Sequence, residues 1–199
     1  MNIESLPPTA PLYPAALKTG NQPPAWQTIG NQELLATTKT AVLCSRECPG
    51  EVILRLFELA RRLRDSEVTF ISGFHTPVER DFLAYLLAGS CELIICPART
   101  LEGMRLPTDW QKAIADQRLL LLSPFTSTTQ RRQSAQLAKR RNEFVIRLAE
   151  QILLLHAAPA SQTARLINDA RRPTQPLLTL TQDDAQLCRQ LMEGETLMH

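Results

Sequence analysis

Glycine is scarce in this chain, seven in 199 residues, and the scarcity already excludes most loops that wrap a nucleotide. No Gly-x-Gly-x-x-Gly follows a strand-like run, and there is no Walker loop, no Gly-x-Ser-x-Gly elbow and no His-Glu-x-x-His pair. Dinucleotide-dependent dehydrogenases, P-loop NTPases, α/β-type serine hydrolases and zinc peptidases are set aside on those grounds. No cofactor is expected, and a binding role outranks an enzymatic one. Cysteine pairing is missing as well. The five cysteines are odd in number, and Cys44-x3-Cys48 and Cys91-x4-Cys96 lack the paired short knuckles of a zinc site, so reduced thiols of a cytoplasmic protein are the economical reading. Cys91 and Cys96 border an apolar run and read as small core residues, while Cys44 and Cys48 with His75 make only an incomplete metal set. Apolar runs of membrane length are absent, so no membrane partner is expected, and the first five residues show no basic stretch leading into an apolar one of the kind that directs export. Neither charge is in excess: 22 basic residues face 20 acidic, too even a balance to wrap duplex DNA by charge alone. Any basic surface must be local.

One such place stands out. Arg131, Arg132, Lys139, Arg140, Arg141 and Arg147 fall within one segment whose only acid is Glu143. The segment reads either as a solvated helix face or as a nucleic-acid contact. An apolar content of 44% in 199 residues supports a single core and a single domain. Residues 1–36 hold six of the 14 prolines and read as a Pro-rich arm with little regular structure, its second half packed on the domain through Tyr13, Trp26, Leu34 and Leu35. Residues 37–199 alternate between short apolar runs and longer stretches with helical period. The pattern predicts strands over 40–43, 68–72, 93–96, 119–123, 152–156 and 177–180. Helices are predicted over 51–64, 77–87, 109–116, 134–150, 161–171 and 183–193, the last capped by the polar cluster at 181–184. Such alternation predicts an α/β fold, Rossmann-like, with a mostly parallel sheet covered by helices on both faces.

In sheets of that kind ligands gather at the carboxyl ends of the strands, where helix N-terminal amides are unpaired. The first predicted strand exits through Cys44-Ser45-Arg46-Glu47-Cys48-Pro49-Gly50. Ser45 offers a hydroxyl, the amides can face an anion, and Arg46 can form a bidentate pair with phosphate oxygens. The alternative is a capped turn whose arginine pairs with Glu47 or Glu51. The second strand exits through Ser72-Gly73-Phe74-His75-Thr76, where Gly73 permits close backbone approach and His75 is either a base or an exposed hydrogen-bonding group. Arg99 follows the third strand and adds a cation at the same edge. Glu79 is a candidate acid, with a helix N-terminal charge as the alternative.

Read in order, these loops resemble the DNA-processing protein A family (DprA, also called Smf), a Rossmann-like group that loads recombinase onto single-stranded DNA. The resemblance covers roughly residues 13 to 180. It rests on Tyr13-Pro14-Ala15-Ala16-Leu17, Gly30-Asn31-Gln32-Glu33-Leu34-Leu35, and Ala41-Val42-Leu43-Cys44-Ser45-Arg46 in the place of a strand followed by Gly-Ser-Arg. Ser72-Gly73, Arg141-Asn142 as the start of an Arg-Asn-Arg signature, and Ser161-Gln162-Thr163-Ala164 complete it. The resemblance implies phosphate binding by Ser45 and Arg46, with Ser72, Gly73, Arg141 and Asn142 nearby. The charge pattern adds Arg99, Lys139 and Arg140 to the candidate surface. Cys44 replaces the glycine of Gly-Ser-Arg, Pro77-Val78-Glu79 stands for Gly-Ile-Asp, Pro97 interrupts a glycine-bearing loop, and Glu143 replaces the last arginine of Arg-Asn-Arg. A Cβ at Cys44 is expected to narrow the approach of a ligand to the backbone, and Glu143 to repel phosphate. The Pro-Gly-Gly-x-Gly-Thr-x-x-Glu motif of the related cytokinin-activating phosphoribohydrolases is absent, and no room is expected for the winged-helix-like domain that some members carry.

The leading expectation is a divergent DprA-like protein of DNA processing or recombination that binds single-stranded DNA through strand-end loops, with a recombinase as partner and a homodimer as its assembly. Two other readings stand beside it. One is a DprA-like protein-interaction module or antitoxin-type regulator bound to an operon-encoded partner in a defence operon. The other is a small-nucleotide sensor or hydrolase using His75 or Glu79.

Overall fold

The computed structural model describes residues 2–18, 23–126, 134–180 and 184–193. Its frame is one eight-stranded sheet in the order β1-β2-β6-β5-β4-β3-β7-β8. Six strands run parallel: β3 (Lys39–Cys44), β4 (Thr69–Ser72), β5 (Glu92–Ile95), β6 (Leu119–Ser123), β7 (Gln151–His156) and β8 (Leu177–Thr179). Their interiors are fully apolar runs, as strands covered on both faces must be. Helices α1 (Gly50–Leu63), α2 (Pro77–Leu87), α3 (Thr108–Ala115), α4 (Ala135–Leu148), α5 (Gln162–Ala170) and α6 (Asp184–Glu193) connect or follow them. The fold is therefore α/β and Rossmann-like, as the alternation predicted.

Period-two alternation assigns the strand side chains to two cores. Val42, Cys44, Phe70, Leu93, Leu121 and Leu153 face α1, α2, α3 and α6, whereas Ala41, Leu43, Ile71, Ile94, Leu120 and Ile152 face α4 and α5. Helix α1 buries Leu56, Leu59, Ala60 and Leu63, the i, i+3, i+4, i+7 stripe that fits a helix lying on a sheet. Each of the three leucines taken out of water contributes roughly 1.5–3 kcal/mol before entropy is subtracted.

Two strands were not predicted. β1 (Glu4–Leu6) pairs with β2 (Trp26–Gly30), and β2 in turn with β6, both antiparallel. The first 36 residues thus extend the sheet and also form short 3-10 turns at Ala15–Leu17 and Gln32–Leu35. Trp26 anchors this segment. Its ring stacks on Tyr13 at 4.1 Å between centroids and meets Phe144 of α4 edge-on at 5.0 Å. Leu34 and Leu35 are buried beside them.

The strand order also locates the crevice. The chain builds outward from β3 to β4, β5 and β6, then returns through α4 to place β7 on the other side of β3. Helix α1 leaves β3 toward one face and α5 leaves β7 toward the other, so the carboxyl ends of these two strands border the position where open α/β sheets take ligands.

Candidate nucleic-acid interface

The loop after β3 starts from a slip in register. Leu43 faces Leu154, yet Cys44 faces His156, so β7 carries one extra residue at the end of the ladder. Such a bulge re-aims a strand end. The Ser45 amide consequently donates to the His156 carbonyl at 2.8 Å, and the Ser45 hydroxyl lies 3.3 Å from that of Ser161. Ser161 is the N-cap of α5 and accepts from the Ala164 amide. Two hydroxyls thus meet across the β3–β7 crevice. Arg46 leaves this point into solvent and forms no ion pair among the described residues, so the turn in which it pairs with Glu47 or Glu51 is not what the chain adopts.

Glu79 joins this loop to the next. It is 5% exposed, and its carboxylate accepts from the Cys44 amide on one oxygen (2.9 Å) and from the His75 and Thr76 amides on the other (2.8 and 3.1 Å). Thr76 caps α2 and accepts from the Glu79 amide, completing a capping box with Pro77 in the first turn. A single carboxylate therefore holds the ends of β3 and β4 together. Its helix-cap reading is correct but incomplete, because the long-range bond to Cys44 has no signature in local spacing.

Ser72 and Gly73 belong to the same frame. The buried Ser72 hydroxyl donates to the Val42 carbonyl at 2.7 Å and accepts from the Phe74 amide, whose residue holds a left-handed φ of 44°. A Cβ on Gly73 would fall inside the guanidinium of Arg141. That arginine is only 3% exposed. Its Nη1 donates to the Cys96 carbonyl at 2.9 Å and its Nε to the Asn142 side chain at 2.6 Å, while Nη2 has no partner among the described residues. Burial lowers the Arg141 pKa and the Glu79 charge opposes that shift. Arg141 lies on the buried stripe of α4 with Phe144, Val145 and Leu148, where it props up the loops after β4 and β5.

Other candidates lie elsewhere. Lys139 and Glu143 stand two residues either side of Arg141, about 200° around the helix, and pair with each other at 3.9 Å. The charge of Glu143 therefore points away from the Arg141 face, contrary to its expected repulsion of phosphate there. Arg140 lies over the Phe125 ring at 5.7 Å. Arg99 is held by its own loop through the carbonyls of Thr100 and Glu102. Arg131 and Arg132, and residues 181–183 of the predicted cap, lie outside the described residues. The Cys44 side chain is buried in the α1–α2 core, so its Cβ does not narrow the crevice as its replacement of glycine led one to expect. Desolvation, the nearby Cys48 thiol and Glu79 together push the Cys44 thiol far up. Among the described residues no group of three or more His, Cys, Asp and Glu side chains is arranged to hold a metal, and no helix is long and apolar enough to cross a membrane.

This arrangement can hold an anion: an exposed arginine without an ion pair among the described residues, two hydroxyls at a helix N-terminus, and a second arginine beneath a glycine. A family model for DNA recombination-mediator protein A matches residues 5–194. The chain belongs to that family. Among solved structures, DNA processing protein A of Streptococcus pneumoniae superposes with a TM-score of 0.70 at 17% identity, covering 99% of this chain and 75% of that one. DNA processing protein A of Helicobacter pylori, solved to address a unique single-stranded DNA binding mode, gives 0.67 at 22% identity over 96% and 88%. Curated proteins yield no match. The family of recombination mediators agrees with the expectation of a binding protein rather than an enzyme. Ser161 was not singled out as a binding residue from sequence. The available signal was its place as N-cap after the strand that pairs with β3.

Proposed function

We propose that this member of the DNA recombination-mediator protein A family binds single-stranded DNA at the carboxyl edge of its sheet, as a cytoplasmic protein of DNA processing or recombination. A backbone phosphate is held by Arg46 with the Ser45 and Ser161 hydroxyls, over the frame formed by Ser72, Gly73, Glu79 and Arg141. The observation that carries this reading is Arg46, exposed and without an ion pair among the described residues, beside the crevice between β3 and β7. Asn142, bonded to Arg141, is the second residue of the frame on α4. Lys139, Arg140 and Arg99 supply longer-range positive potential rather than direct contacts at this phosphate. A recombinase is the partner this function calls for, and a homodimer the assembly that would give two such edges.

The test is binding to a labelled oligothymidylate across a salt series. Log affinity should fall with log salt by about 0.7 per phosphate neutralised. Arg46→Ala should weaken binding and reduce the slope by about that amount, with the urea midpoint unchanged. Unchanged affinity and slope would remove Arg46 from the site.

A further inference from the structure

The phosphate site just proposed has one neighbour without an assigned role. His75 follows Gly73 and Phe74, and its amide shares the Glu79 carboxylate with the Cys44 amide. The two oxygens of one carboxylate are about 2.2 Å apart by ordinary bond geometry, so the backbones at residues 44 and 75 are within hydrogen-bonding reach of a single group. Arg46 leaves the first of those points after two residues. Arg141 lies directly beneath Gly73, two residues before the second. Three side chains that can carry positive charge therefore converge from three elements: Arg46 from the β3–α1 loop, His75 from the β4–α2 loop and Arg141 from α4. The His75 ring is solvent-exposed and has no hydrogen-bond partner among the described residues.

We propose that His75 is the second exposed cationic arm of the anion site, beside Arg46, and takes up a proton as a phosphate enters between the two over the buried Arg141. This deepens the single-stranded DNA reading and rests on it for the identity of the ligand. Around the imidazole stand Arg141 of α4, Arg46 of the β3–α1 loop, and Glu79 and Arg80 of α2. Three are cations and one is a carboxylate, and that carboxylate is engaged by three backbone amides. Desolvation first, then Arg141, Arg46 and Arg80, hold the unliganded His75 below the usual imidazole value, against the opposing pull of Glu79. At neutral pH the empty site therefore keeps this ring neutral. An anion placed between Arg46 and His75, above Arg141, reverses the balance by offsetting the arginines and accepting from the imidazolium. Arginines do not titrate near neutrality and phosphodiesters remain ionised, so this proton belongs to the histidine.

Linkage fixes the sign: binding that takes up a proton strengthens as pH falls, by at most about one decade in affinity per pH unit for one proton. At constant ionic strength, oligothymidylate affinity should rise about tenfold or more between pH 7.5 and 5.5 in the native sequence. The gain should be lost in His75→Gln and kept in His156→Gln, which changes the nearby histidine whose carbonyl accepts from Ser45. Calorimetry in two buffers of different ionisation enthalpy should find a proton taken up per site with the native sequence and none with His75→Gln. Binding with a flat pH profile, or a profile abolished by His156→Gln, overturns the role of His75 and leaves the DNA reading intact. A second arm follows the His75 imidazole by NMR titration in chloride and in sulfate, whose charge is constant over this range. A pKa raised by sulfate without DNA binding keeps His75 as an anion arm and removes the DNA reading. A pKa that sulfate does not move overturns the proposal.

Discussion

Position 73 is glycine because Arg141 lies where a Cβ would be, and Gly73→Ala tests this. Gly73 is not in the left-handed region of backbone space, so alanine meets no penalty from φ. Conformational freedom lost from the unfolded chain would by itself make the substitution stabilising by about 0.4–1 kcal/mol. Against this, the guanidinium must swing away from the 2.9 Å bond to the Cys96 carbonyl. A hydrogen bond to a charged group contributes about 1.5–3 kcal/mol, and a buried carbonyl left without a donor adds to the loss. The balance is a net destabilisation of about 2 kcal/mol, or a melting temperature lower by about 4–8 °C for a chain of this size. Urea unfolding followed by far-ultraviolet circular dichroism reads it. The decisive measurement is the double-mutant cycle with Arg141→Ala. Once the guanidinium is gone the alanine has nothing to strike, and Gly73→Ala should change sign and stabilise by the few tenths to one kcal/mol that glycine replacement ordinarily gives. Equal destabilisation in both backgrounds would refute the steric account.

Three further outcomes follow from the same frame. Glu79→Ala leaves the amides of Cys44, His75 and Thr76 without their acceptor and removes a charge that opposes the desolvation of Arg141, so urea unfolding should show a loss of about 3 kcal/mol, with Glu79→Gln retaining part of the stability. Ser161→Ala removes the α5 N-cap and the hydroxyl facing Ser45, which should cost about 1 kcal/mol in thermal unfolding and weaken oligothymidylate binding together. His75 has its pKa lowered in the folded chain, so the unfolded chain binds that proton more readily. Its contribution to stability is present above the ordinary histidine value of about 6.5 and lost as pH falls below it, and urea midpoints of the native sequence and His75→Gln should converge or cross there.

The parallel part of the sheet was legible because each strand is a short apolar run followed by an amphipathic helix, and the two periods differ enough to be separated by eye. β1 and β2 were not. β1 has three residues with only Leu6 buried, β2 follows Pro23 and Pro24, and the partner of β2 is β6, some ninety residues later. Nothing local announces such an antiparallel edge. The place of Arg46 at the exposed end of β3 was legible from its position after the first strand of the parallel core. The role of Arg141 was hidden by the basic residues around it, which draw the eye to a charged face. Its spacing from Phe144, Val145 and Leu148 was the available signal, since an arginine at the first position of an i, i+3, i+4, i+7 apolar stripe is directed into the protein.

That distinction decides how the departures from the family motifs should be weighed. The candidate residues divide into a buried frame and exposed arms. Glu79, Ser72, Gly73 and Arg141 are engaged with main-chain groups or with each other, and they fix where two strand ends lie. Arg46 and His75 project from that frame into solvent. Cys44 in place of glycine faces the α1–α2 core, and Glu143 in place of arginine lies across α4 from Arg141, paired with Lys139. Neither change therefore faces the proposed anion position, although both looked adverse on the primary structure. Glu79 in place of aspartate has one more methylene and still reaches three amides, so that substitution keeps the frame's central bonds. The frame that presents Arg46 is thus intact in this chain, and tests of the proposed binding belong at the arms, where substitution alters charge without disturbing the fold.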